Sequence, residues 1–143
     1  MGTQIGVSRE DFNKASDKSW LATRMGLQDM RGITLDISTF SPDHVTGGYI
    51  PSGTALGKIT ASGKYGPYDP TTPAADGRED FAGHLFEEVK VVDVTTDKDC
   101  GAALFWTGVV DESRLPVFAD DAEDIGVVDA AAKTAVAGWI RYE

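Results

Sequence analysis

A chain of 143 residues and 15.3 kDa, 41% apolar and 25% charged, is the size of one domain and can close a core of its own. Its formal net charge of −10 argues against nucleic acid or an anionic membrane surface as partner, because both demand clustered Lys and Arg. The lone cysteine, Cys100, excludes an internal disulfide and a cysteine-based zinc site, and no apolar run approaches the roughly 20 residues of a membrane span.

Charge divides the chain. Residues 1–31 carry five basic and four acidic groups, whereas the rest carries eight and nineteen, so nearly all the acidity lies beyond the first segment. The apolar residues of that segment, Trp20, Leu21 and Met25 among them, follow no strand period. Ser8 is placed to cap a short helix, with Glu10 and Asp11 in its first turn. Residues 1–32 therefore read as an arm outside the core, against the competing reading of a segment folded back onto the domain. The N-terminus lacks the basic and apolar stretches of a signal peptide. Gly6 also stands where a myristoylation signal needs Ser or Thr, so a product made and kept in a cytosol is expected.

At Ile33 the pattern changes. Ile33, Leu35 and Ile37 alternate with Thr34, Asp36 and Ser38, and Phe40 closes the run out of phase, which predicts a strand. Gly47-Gly48 and Pro51-Ser52-Gly53 make 41–54 a loop. Short strands are expected over 55–60 and 64–68, around the turn Ala61-Ser62-Gly63. A second loop spans 69–78, a long strand 81–94, a turn Asp97-Lys98-Asp99, and another strand 100–110. Near the C-terminus Asp129 is set to cap a helix over the Ala-rich residues 130–137, with Gly138 as its stop and Trp139–Tyr142 as a last strand. The fold class is therefore mainly β with short helices (α+β), divided as 1–32 arm and 33–143 β-rich domain.

Residues that could carry chemistry are few. No G-x-S-x-G elbow and no G-x-G phosphate loop occurs. His44 and His84 lack a local partner pattern and read as structural or surface groups, while Cys100, in an apolar strand, reads as a buried, inert thiol. Asp97-x-Asp99-x-Gly101 reads as a hairpin turn and Asp120-Asp121-x-Glu123-Asp124 as a solvated face, since neither matches a calcium loop. No catalytic, cofactor or metal residue is assigned. Tyr65 and Tyr68, beside turn residues, could hold a glycan or host surface, because a tyrosine ring is apolar and its tip polar. A small hydrolase working through His44 or His84 is the third reading.

Several strings in order resemble one family. Ile50-Pro51-Ser52-Gly53-Thr54-Ala55-Leu56-Gly57-Lys58-Ile59-Thr60 leads into Gly63-Lys64-Tyr65-Gly66-Pro67-Tyr68-Asp69. Asp76-Gly77-Arg78-Glu79, Phe81-Ala82-Gly83-His84-Leu85 and Val109-Val110-Asp111-Glu112-Ser113-Arg114-Leu115-Pro116 come next, then the Ala-rich 129–137 and the closing 139–142. With Asp17-Lys18-Ser19-Trp20-Leu21 and Ile33–Ser38 ahead of them, they resemble the head decoration proteins of tailed bacteriophages. That is the family of phage lambda's capsid-stabilising protein D, here in the longer-armed form of actinobacterial phages. The likeness spans about 17–143, and the linker 117–128 is longer and more acidic than the family's pattern.

The resemblance implies a compact β-rich domain without catalytic residues or cofactor. It implies homotrimers on local three-fold axes of the capsid exterior, each arm touching the major capsid protein, with synthesis in the host bacterial cytoplasm and residence on the virion. On that reading Trp20, Leu21, Ile33, Leu35, Ile37 and Phe40 are the expected capsid contacts, through an alternating segment added to a sheet edge. Pro116 and Phe118 are the expected trimer contacts. The rival reading is a virion-surface glycan- or host-binding module built on Tyr65 and Tyr68.

Overall fold

A computed structural model describes residues 16–71, 76–118 and 124–143. The strands are β1 Arg31–Leu35, β2 Tyr49–Ile50, β3 Ala55–Lys58, β4 Tyr65–Pro67, β5 Phe81–Leu85, β6 Val89–Lys90, β7 Cys100–Phe105, β8 Gly108–Val110 and β9 Ile140–Tyr142. One helix, α1, spans Ala130–Ala135. The molecule is mainly β with little helix. Among the described residues no helix is long and apolar enough to cross a membrane.

Five strands close a small barrel in the order β1-β4-β3-β5-β7, with β7 returning to β1. The barrel is nearly all antiparallel; β1 and β4 run parallel and meet at the single register pair Leu35–Tyr65. Period-2 alternation explains two cores instead of one. Leu35, Leu56, Leu85 and Leu104 point inward, joined by Ile37, Phe40 and Ile50. Their strand neighbours Ala55 and Phe105 point outward into a second cluster with Trp20, Tyr68, Phe81, Val110, Ala132, Val136 and Ile140. β3, β5 and the end of β7 at Leu104 and Phe105 are thus buried on both faces, which is why these stretches read as nearly continuous apolar runs.

The second cluster is roofed by chain from both ends of the sequence. β8 pairs with β9 in parallel on one edge. On its other edge Leu21 bridges Val110, the Ala22 amide donates to the Val109 carbonyl at 3.1 Å, and the Asp111 amide donates to the Trp20 carbonyl at 2.7 Å. Helix α1 is short because it is fixed at its start and released early. The Asp129 carboxylate caps the Ala132 amide at 2.8 Å, and the helix closes at Val136, before Gly138.

Three expectations are corrected. Residues from Trp20 onward are not an arm outside the domain: Trp20 is fully buried and is the largest side chain in the core. The strand expected over 33–40 ends at Leu35, because Asp36 accepts from the Ser38 amide and caps a 3-10 turn over Ile37–Thr39. The long strands 81–94 and 100–110 each break where the chain leaves the barrel. After Leu85 it crosses to pair with β2, and after Phe105 it turns through Trp106-Thr107 into β8. Gly108 is the pivot of the second break. Its φ is +142°, and a Cβ there would lie 2.5 Å from the Phe105 ring and 2.6 Å from the Met25 carbonyl. The region 41–54 is mostly loop as expected but includes the two-residue β2. The helix start at Ser8, with Glu10 and Asp11, lies outside the described residues, as does the 72–75 part of the second loop.

Burial of this kind makes the chain around Trp20 part of the folding unit. Removing residues 1–32 is expected to yield an unfolded chain by far-UV circular dichroism. Trp20→Ala is expected to cost about 3–5 kcal/mol in urea unfolding; a change below about 1 kcal/mol would contradict this packing.

Candidate functional site

The two histidines, the natural candidates for acid–base work, are both consumed by the fold. His84 stands on β5, on the face opposite Leu85, fully buried. Its Nδ1 lies 2.8 Å from the Gly53 carbonyl, which can only accept, so Nδ1 carries the proton. Nε2, left as acceptor, takes the Tyr142 hydroxyl at 2.8 Å. Trp20 and Phe81 flank the ring at centroid distances of 5.5 and 5.2 Å. Burial among these groups pushes the imidazole down to about 4, with the Gly53 contact opposing weakly. Burial also drives the Tyr142 phenol far above its ordinary value, and the Glu112 charge adds to it. Both nitrogens of the buried imidazole are thus engaged inside the core, one through its proton and the other through its lone pair.

His44 is held similarly in the 3-10 turn Pro42–His44. Nδ1 accepts from the Ser41 amide at 3.1 Å, and Nε2–H donates to the Ile125 carbonyl at 3.0 Å. Burial again lowers its pKa. Phe40 and Phe118 meet its ring edge-on at 5.7 and 5.0 Å.

Other polar candidates are also tied internally. Tyr68, only 2% exposed, donates its hydroxyl to Asp129 at 2.9 Å, and burial with the adjacent carboxylate pushes its pKa up to about 12. It therefore presents no face to a sugar, and Tyr65 is itself partly buried against the barrel core. Asp97 accepts from the Val92 amide at 2.7 Å, and Asp99 pairs with Lys64 at 2.5 Å. Cys100 is half-buried, less than the sequence suggested, and burial with Asp99 and Asp97 nearby raises its thiol pKa. Among the described residues no group of three or more His, Cys, Asp or Glu could hold a metal ion. Asp120, Asp121 and Glu123 lie outside them, and Asp124 is exposed.

The expected contact residues do not form a surface. Trp20, Leu35, Ile37 and Phe40 are in the cores, with Leu21 and Ile33 partly buried against them. Each has the side chain of a contact residue, but the alternation that suggested a docking strand is the inward face of the barrel. Pro116 packs beside Gly53, and Phe118 lies on His44, so neither is a free apolar face.

What the surface does present is a patch that sequence spacing could not assemble. Met25 and Trp139 are 63% and 60% exposed. Trp106 stands between the barrel and β8 with its ring 5.4 Å from that of Trp139. The Arg31 guanidinium lies 4.2 Å over the Trp106 ring, and the Trp106 indole N–H donates to the Asp29 carbonyl. The Trp139 carbonyl accepts from the Gly108 amide and the Thr107 hydroxyl, both at 3.0 Å. The backbone is thus fixed at each ring; Trp139 is exposed, while Trp106 is partly buried against the barrel core and covered by Arg31. The available sequence signal was weak: Trp139 stood at the start of the predicted last strand, and Trp106 lay inside the strand predicted over 100–110. Comparison of the sequence with family models and with curated proteins returned no match.

The His84 geometry sets a pH dependence. Its pKa in the folded chain is below the usual imidazole value, so the unfolded chain takes up the proton first. Stability is intact above about pH 6.5 and falls as pH drops toward about 4, by about 3 kcal/mol for a shift of this size. His44 acts in the same direction. Thermal unfolding at about 0.15 M salt, where relief of acidic self-repulsion is screened, should show the midpoint dropping across that window. A flat midpoint would contradict the burial of both rings.

Proposed function

We propose that this protein is a non-catalytic capsid decoration protein. It binds the exterior of the expanded phage head as homotrimers at local three-fold axes and cements neighbouring capsomers against internal DNA pressure. The observation that carries the reading is the exposure of Met25 and Trp139 beside the partly buried Trp106, on which Arg31 stacks. Trp, Met and Arg are the residue types enriched where proteins meet proteins, and a contiguous exposed apolar patch marks a contact surface. The internal use of His44, His84, Tyr68 and Tyr142 supports a body built for rigidity. The resemblance over 17–143 supplies the kind of partner, the major capsid protein.

The physics of assembly is consistent. Three copies present three identical patches to a three-fold site, so each later contact forms at high effective concentration and modest single contacts add to firm binding. A chain of net charge −10 suits the outside of a shell, away from the packaged genome. Glycan binding through Tyr65 and Tyr68, the rival reading, loses its basis with the burial of Tyr68.

The test is co-sedimentation with expanded and unexpanded shells lacking the protein. Saturable binding to expanded shells, about three copies per three-fold site, is expected. Trp139→Ala and Met25→Ala should each weaken it roughly tenfold or more while leaving circular dichroism and thermal midpoint unchanged. No binding to either shell overturns the proposal; binding unaffected by both substitutions overturns the patch.

A further inference from the structure

The barrel is closed by an incomplete seam. β1 pairs with β7 along all five of its residues, Arg31 with Leu104 through Leu35 with Cys100, but with β4 only at Leu35 and Tyr65. The Asp36 amide donates to the Tyr65 carbonyl at 2.8 Å. Successive residues of a strand send their backbone groups to opposite sides, so the even-numbered residues of β1 face β4 and the odd-numbered ones face β7. The amide and carbonyl of Gly32 and the amide of Thr34 therefore face the seam, where no strand among the described residues stands opposite. An unpaired edge of this kind is a template for another strand.

The seam opens into a groove of about 520 Å³ lined by Arg31, Gly32, Thr34, Lys58, Gly63 and Tyr65. A Cβ added at Gly32 or Gly63, or at the adjoining Gly101, would meet nothing within 4 Å, so the outer face of the sheet is open beside the seam. The charged residues lining it are Arg31 and Lys58, both cationic in a chain of net charge −10. Lys58 has no ion-pair partner among the described residues. Arg31 also stacks on Trp106, so groove and patch form one continuous surface.

We propose that this seam receives an extended acidic peptide strand from a partner protein. The strand completes the pairing of β1 through the backbone of Gly32 and Thr34 and sets carboxylates against Arg31 and Lys58. Backbone hydrogen bonds supply affinity, and the two cations select acidic side chains. The inference rests on the decoration reading only for the source of the strand, a shell subunit; its chemistry stands independently.

The test uses substitutions that separate seam from barrel. Because Gly32 sends its backbone groups away from β7, Gly32→Pro removes a seam-facing donor without removing a bond of the β1–β7 ladder. Gly32→Ala keeps that donor and controls for the side chain. The full-length protein is used to select from a displayed library of random twelve-residue peptides. The expected result is a set of peptides with Asp or Glu at alternating positions. These should bind wild type and Gly32→Ala alike and bind Gly32→Pro and Lys58→Glu about tenfold more weakly or worse, with thermal midpoints unchanged. Selection that yields no acidic extended peptides, or peptides that bind Gly32→Pro as well as wild type, overturns the inference. Acidic peptides that depend on Gly32, from a protein that binds no shell, uphold the seam and overturn the decoration reading. The groove and the reading thus fail separately.

Discussion

The imidazole of His84 joins the two ends of this chain to its middle. One nitrogen donates to the backbone of the 51–54 loop at Gly53, and the other receives the hydroxyl of Tyr142 on the final strand, beneath the indole of Trp20. Around it the same loop is held three further ways. The Trp20 indole N–H donates to Ser52 at 3.1 Å, Ser52 donates to the Phe86 carbonyl at 2.6 Å, and the Gly53 amide donates to the Leu85 carbonyl at 2.7 Å. A fully buried polar network is favourable only when every member is satisfied, and here each neutral partner has one. Gly53 has a φ of +97°, and a Cβ on it would lie 3.0 Å from the Trp20 indole nitrogen and 2.7 Å from Pro116. That glycine is what lets loop, indole and imidazole approach so closely.

The exposed face of the molecule depends on that buried arrangement. It fixes β8 between residues 20–22 and β9, and so fixes the two segments that carry Trp106, before β8, and Trp139, before β9. Holding the exposed Trp139 indole against the partly buried Trp106 keeps the cost of ordering it low when a partner binds. The cationic seam beside them extends the same surface into backbone that can pair. Among the described residues, polar side chains such as His84, His44 and Tyr68 tie segments together, and the two exposed large apolar side chains near the β8–β9 end are Met25 and Trp139.

Fold class was legible in the sequence because alternation over 33–37 and apolar runs at 55–57, 81–85 and 100–105 reflect strands buried on one or both faces. The helix was legible from Asp129, whose capping bond is local. Trp20 was not: its burial depends on Ser52, His84 and Phe105, all more than 30 residues away, and nothing in its own neighbourhood alternates. Strand ends at Leu35, Leu85 and Phe105 were missed for a related reason. The apolar pattern continues across each break while the partner strand changes. The surface patch was beyond sequence reasoning because Met25, Trp106 and Trp139 come from three separated segments, and exposure is a property of their packing.

The proposed function has the protein sit on a phage shell through the surface around Met25, Trp106 and Trp139. Electron cryomicroscopy of expanded shells saturated with the protein tests it most directly. The account expects trimeric density at the local three-fold axes with both indoles and Arg31 turned toward the shell. Density at those axes with Trp106 and Trp139 facing solvent, or no ordered density on the shell, would contradict it.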